Sequence, residues 1–171
     1  MNWTSDQRIL GSLLMMFSLT MLLPAFVGLI YMDKNWILFI WSFGIILTIG
    51  LSLWYPVRKL KKELSLRDGF LIVASFWIVL GSAGSLPFYL SDIISMSFTD
   101  SVFESISGLT TTGATVLTDL DQLPHSILFY RHQLQWFGGM GIIVLAVAVL
   151  PMLGVGGMQL YRAETPGPIK N

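Results

Sequence analysis

The residues best equipped for chemistry in this chain form one short string, Thr110-Thr-Thr-Gly-Ala-Thr115. Three consecutive threonines are poor helix formers, and Gly113 admits backbone angles that a Cβ forbids. In an extended run, the peptide carbonyls and threonine hydroxyls are hard oxygen ligands able to replace the hydration shell of an ion. The string has no carboxylate, which suits a monovalent cation better than calcium or magnesium, whose sites usually recruit Asp or Glu. Taken alone it is also what an ordinary exposed loop contains, and both readings stand at this point. A second chemistry is nucleophilic: Ser107-Gly108 with His125 or His132 as base invites comparison with an intramembrane serine protease. Against it, Ser105 stands where the rhomboid-type motif begins with glycine. Metal coordination by His125 and His132 on one helical face lacks a third ligand. Cysteine is absent, so disulfide, zinc–thiolate and iron–sulfur chemistry are excluded.

The elements that must position the string are those of a membrane. Of 171 residues 54% are apolar and 12% charged, against roughly a quarter in soluble proteins. Mean hydropathy is +0.70. Ten basic side chains balance ten acidic ones, leaving no positive excess to hold nucleic acid. A hydrocarbon core about 30 Å thick needs about 20 helical residues. Four segments qualify: residues 9–31, bent at Pro24; 36–55, with aromatic residues at both ends; about 69–90; and about 126–153, carrying Gly138, Gly139 and Gly141. The first is too long for a signal peptide and has no small-residue cleavage site after it, so it reads as a retained helix.

Loop charges orient these spans. Residues 56–68 hold Arg58, Lys59, Lys61, Lys62 and Arg67 against Glu63 and Asp68, and basic loops stay in the cytoplasm. The N-terminus and the tail 154–171 are then cytoplasmic as well. Residues 91–124, with Asp92, Asp100, Glu104, Asp119 and Asp121 and no Lys or Arg, lie outside. That acidic loop is either a solvated surface or a mouth that concentrates cations.

Between the third and fourth spans lies a helix too short to cross. It is opened by Ser97, Thr99 or Asp100, and Val102, Phe103, Ile106 and Leu109 recur at helical spacing. At roughly 10 to 12 residues it reaches about 15 to 18 Å, half a bilayer, which marks a re-entrant or interfacial segment. Entering from outside, it aims the partially negative end of its dipole at the membrane centre and favours a cation there. Residues 110–115 then return outward in extended form, tolerable at that depth only against protein or a water-filled cavity.

Ser107-Gly-Leu-Thr-Thr-Thr-Gly-Ala-Thr115, Leu123-Pro-His-Ser126 and Gln135-Trp-Phe-Gly-Gly-Met-Gly141 closely resemble the first pore repeat of the Trk/Ktr/HKT-type potassium transporter superfamily. The likeness is greatest to the N-terminal third of its bacterial Trk membrane subunit, and extends to Gly157-Met-Gln-Leu-Tyr-Arg-Ala-Glu164. It implies an all-α integral membrane fold in which two leading helices precede one helix–pore-loop–helix unit of potassium-channel type. Carried over by position, Thr111, Thr112 and Gly113 match the selectivity filter, with K+ at Thr111 and Thr112. Thr110 and Ala114 flank it, Ala114 standing where channels have an aromatic residue. The resemblance further implies potassium uptake across the bacterial inner membrane rather than enzymatic activity, with K+ as transported ion and no organic cofactor. A homodimer and a TrkA-like cytoplasmic nucleotide-binding subunit are the implied partners. In that family four pore units in one polypeptide surround one ion path, whereas this chain has one. It is therefore read as the N-terminal piece of a longer protein, the alternatives being assembly of four copies or a non-transporting assembly or regulatory subunit.

Two further residues are candidate pore supports. Arg131 either shapes ion entry by pairing with an acidic loop residue or snorkels to the headgroups. Glu104 either holds the loop through an arginine or backbone donors, or sits exposed on the rim. The three glycines of the fourth span serve close helix packing, or a kink near the inner half.

Overall fold

The computed structural model describes residues 3–58 and 66–152. Most of the basic loop and the tail 154–171 lie outside the described residues. Among the described residues seven α-helices follow one another: α1 Trp3–Thr20, α2 Leu22–Ile30, α3 Trp36–Val57, α4 Leu66–Gly84, α5 Leu86–Tyr89, α6 Phe98–Leu109 and α7 His125–Met152. One 3-10 turn, Leu120–Gln122, precedes α7, and there is no strand among the described residues. By length and composition, Gln7–Ile30 and Trp36–Val57 are able to cross a membrane.

The first expected span is broken at Met21 into α1 and α2, with Pro24 the cause. Proline has no N–H to donate to the carbonyl four residues back, which frees Thr20 O. That carbonyl is not left empty: the Gln133 side chain of α7 donates to it at 2.9 Å. The break thus becomes a joint between the leading helices and the last one. α1 and α3 pack through glycine. A Cβ on Gly11 would lie 2.8 Å from Trp54 N and 2.9 Å from Gly50 O, and one on Gly50 would lie 3.0 Å from Gly11 O. Small residues at such a crossing let helix backbones approach where apolar burial gives no drive, as in lipid.

The third expected span ends at Gly84 rather than near residue 90, because Pro87 starts a separate helical turn in α5. Tyr130 of α7 donates its hydroxyl to Gly84 O at 2.8 Å, satisfying a carbonyl at the end of α4. Its ring meets Phe39 of α3 and Phe88 of α5 with centroids 5.4 and 5.3 Å away. Met21, Ile127 and Leu134 complete this fully buried centre.

The start of α7 has no capping side chain immediately before it; Leu123-Pro124 precede His125. The cap comes from the turn between α2 and α3. Asp33 accepts from Ser126 N through Oδ2 at 3.0 Å and from Ser126 Oγ through Oδ1 at 3.0 Å. Oδ1 also takes Asn35 N at 3.1 Å, fixing its own turn. A carboxylate at a helix N-terminus satisfies an orphan donor and meets the positive end of the dipole. Beside it, Tyr31 stacks on His125, centroids 4.1 Å apart and planes 3° from parallel. Replacing Asp33 by Ala is expected to lower stability by about 1–2 kcal/mol, and by Asn by less, since one acceptor oxygen survives. Thermal unfolding of the full-length protein in detergent measures this; equal midpoints for wild type and Asp33→Ala would remove the cap from the account.

Candidate functional site

The site is built on α6 and the chain that leaves it. Ser97 caps α6: its Oγ accepts from Asp100 N at 3.2 Å and donates to Asp100 Oδ2 at 2.7 Å. Along α6 the usual amphipathic arrangement is reversed. Ser101, Glu104, Ser105, Ser107 and Gly108 are buried with Leu109, while Phe98, Phe103 and Ile106 face outward. Small inward residues bring the α6 backbone close to its neighbours. A Cβ on Gly108 would stand 3.1 Å from Leu134 Cβ. One on Gly138 would collide with the Leu109 carbonyl oxygen and lie 2.6 Å from its carbon. Gly138 is therefore the glycine of α7 that close packing requires; Gly139 has open space around it.

The end of α6 is closed by a tight backbone motif. Thr111 N donates to Gly108 O and Thr112 N to Ser107 O, both at 3.0 Å, while Thr110 N donates to Ile106 O at 2.8 Å. This is the double hydrogen-bonded C-terminal cap whose turning residue is usually glycine. Here it is Thr111, held at φ +55°. A β-branched residue in that left-handed region carries strain of about 1–2 kcal/mol. Gly113 follows at φ +77° with nothing within 4 Å of where a Cβ would stand.

Two anchors fix the outgoing strand. Ser107 Oγ donates to Ala114 O at 2.6 Å, tying the loop back across its own width. Glu104, 1% exposed, then holds the next two residues. Its oxygens accept from Thr115 Oγ1 at 2.9 and 3.0 Å, and Oε2 accepts from Val116 N at 3.1 Å. Arg131 Nε of α7 completes the set with a 2.6 Å ion pair to Oε1. Arg131 is buried, so the snorkelling alternative is corrected: its guanidinium turns inward to a carboxylate that would otherwise be buried without a counter-charge. The exposed-rim alternative for Glu104 falls for the same reason. Thr115 Oγ1 also accepts Leu117 N at 3.1 Å, so one hydroxyl joins carboxylate and strand.

Between the closed end of α6 and these anchors, residues 110–114 are exposed. Among the described residues, the carbonyl oxygens of Thr111, Thr112 and Gly113 accept no hydrogen bond. Thr110 O takes the Thr111 hydroxyl at 2.7 Å, and the Thr110 and Thr112 hydroxyls pair at 2.8 Å. The geometry of the alternative, a serine protease, is not formed. Ser107 Oγ is committed to Ala114 O, His125 is stacked on Tyr31, and His132 is exposed on α7. Sequence reasoning missed Asp33 and Gln133. A helix start without a local cap, and a proline that must free a carbonyl, were the available signals.

Among the described residues the fold is all-helical, with two helices long and apolar enough to cross a membrane and a short helix that ends in a Thr-Gly turn, the arrangement of an integral membrane protein. Residues 35–171 match the family model described as TrkH, cation transport protein, and the chain belongs to that family. It is 61% identical over its whole length to the Trk system potassium uptake protein TrkH of Vibrio parahaemolyticus, covering 35% of that protein. Against TrkG of Escherichia coli it is 45% identical over 161 residues, covering 33%. The crystal structure of the potassium transporter TrkH from Vibrio parahaemolyticus superimposes with a TM-score of 0.87 at 59% identity, over 92% of this chain and 34% of that one. The chain thus spans about a third of the length of these relatives.

Removing one partner of a buried ion pair costs about 3–5 kcal/mol, whereas replacing both by apolar groups can be neutral. Glu104→Ala and Arg131→Ala are each expected to destabilise the full-length protein on that scale. Glu104→Leu combined with Arg131→Met is expected to recover part of the loss. Melting in detergent of wild type, the two alanine variants and their double-alanine combination forms a double-mutant cycle; strictly additive losses would show that the pair is not coupled.

Proposed function

We propose that this chain is the first pore unit of a potassium-uptake membrane subunit, in which carbonyl oxygens of Thr111, Thr112 and Gly113 coordinate dehydrated K+. Thr110 and Ala114 are the flanks of this filter segment, and Glu104 with Arg131 is its support. One observation carries the reading: among the described residues, three successive carbonyls without hydrogen bonds lie between the closed end of α6 and two anchors beyond them, Ser107 Oγ on Ala114 O and Glu104 on Thr115 and Val116. An exposed loop whose carbonyls merely bond water needs neither the buried ion pair nor the strained threonine that hold this one. Oxygens fixed before the ion arrives cost less reorganisation when it sheds water. The family is one of cation transport proteins, and the relatives are potassium uptake proteins, which agrees with this ion.

In this reading α4 and α7 also cross the bilayer, and α6 is the half-helix that enters from outside. The N-terminus and C-terminal tail are cytoplasmic, and the membrane is the bacterial inner membrane. The carbonyl ring around the ion is completed by further pore units of the whole protein. A homodimer and a TrkA-like cytoplasmic nucleotide-binding subunit are the partners proposed for that whole protein.

Gly113→Ser tests the filter. The added side chain meets open space, so its effect comes from the strain of φ +77°, about 1–2 kcal/mol, and the backbone shift that relieves it. In the full-length protein, expressed in cells lacking other potassium importers, the variant is expected to lose preference for potassium over sodium while remaining in the membrane. Unchanged ion preference in well-expressed protein would place the filter elsewhere.

A further inference from the structure

Away from the Thr-Gly loop, a groove of about 640 Å³ runs along the first half of α3 and under the connection from α5 to α6. Its upper end holds two opposite charges, Lys34 and Asp92, and neither is in an ion pair among the described residues. Asn35, buried to 4% exposure with its Nδ2 lacking an acceptor, lines it as well. Below the charges the lining is apolar. Ile37, Trp41 and Ile45 recur every fourth residue, one strip on α3, and all three are exposed.

We propose that this groove binds one phospholipid bearing a free amine, with its phosphate at Lys34 and Asn35, its ammonium at Asp92, and an acyl chain along the Ile37–Trp41–Ile45 strip. Three features select this occupant over a soluble ligand or a peptide. The strip belongs to a helix long and apolar enough to span a bilayer, and in the transmembrane arrangement proposed above its exposed face meets hydrocarbon. Lys34 lies two residues before the span begins and Asp92 lines the same groove, and Trp36, which opens the span, is a residue type enriched at headgroup depth. A headgroup that carries both signs matches unpaired charges of both signs, whereas an anionic headgroup would leave Asp92 opposed to its phosphate. Lys34 supplies the compact point charge that phosphate takes, and the Asn35 amide is a donor short of an acceptor.

Native mass spectrometry of the full-length protein, titrated with phosphatidylethanolamine or phosphatidylglycerol, tests the assignment. Wild type is expected to retain one phosphatidylethanolamine more tightly than phosphatidylglycerol. Lys34→Ala is expected to weaken retention of both lipids at least tenfold, and Asp92→Asn to abolish the preference between them. Both side chains are on the surface, so the variants fold; unfolding midpoints verify it. A photo-crosslinker placed at Ile37 gives the second measurement, with attachment to lipid expected. Equal lipid retention by wild type and both variants, or crosslinking at Ile37 to polypeptide instead of lipid, would overturn the proposal.

Discussion

A single buried carboxylate governs the geometry around the Thr-Gly loop. Glu104 is shut off from water, so its charge is tolerable only if every oxygen finds donors and a counter-ion stands close. The donors come from three places in the chain: a hydroxyl and an amide of the outgoing strand, and the guanidinium of α7. Satisfying one side chain therefore requires the half-length helix, the segment after Gly113 and α7 to hold a common arrangement. Burial turns a local polar requirement into a global one, because water is not available as a substitute partner.

The second constraint is steric, and it acts on the same three pieces. The carbonyl end of α6 lies against α7 at Gly138, and its Gly108 faces Leu134. Approach this close is open only to small residues, which explains why α6 turns its serines and glycine inward and its phenylalanines outward. In water such an arrangement would be inside out. Where the surroundings are as apolar as the side chains, packing and internal hydrogen bonds decide, and the reversed pattern is the favourable one. The same logic accounts for Gly11 against Gly50 at the crossing of α1 and α3, and for α7 collecting polar ties from Asp33, Gly84, Glu104 and Thr20.

Periodicity and composition reach some of this and not the rest. The short helix and the glycine after the threonines are legible because length, capping residues and breaker residues are local properties. Pro24 announces a bend, but not that the freed Thr20 carbonyl goes to Gln133, more than a hundred residues on in the chain. The partner of Glu104 is equally hidden: Arg131 follows from how α7 lies on α6, and a sequence offers only the alternatives of pairing or snorkelling. Asp33 reads as one charge in a short turn until α7 is placed above it. The end of α4 is misjudged because apolar residues continue through Leu90, while Pro87 interrupts the backbone and not the hydropathy. What stays illegible in each case is a choice of partner made in three dimensions.

Thr111 is the place where local preference and the surrounding structure disagree. A glycine at the turning position of a helix end would relieve the left-handed strain, and the next left-handed residue, Gly113, shows the chain using that solution two positions later. Keeping threonine retains a hydroxyl, here bonded to Thr110 O, and removes most of the freedom that glycine would give the backbone. Strain of this kind persists only where neighbouring contacts over-determine the conformation. Those contacts are present on both sides: two backbone bonds into α6 before it, and the Ser107 and Glu104 anchors after it. A loop that needed only to connect two helices would have no use for such constraint. In the proposed reading, a row of carbonyls that must keep its positions while an ion exchanges water for them does, because oxygens free to relax would accommodate ions of more than one size.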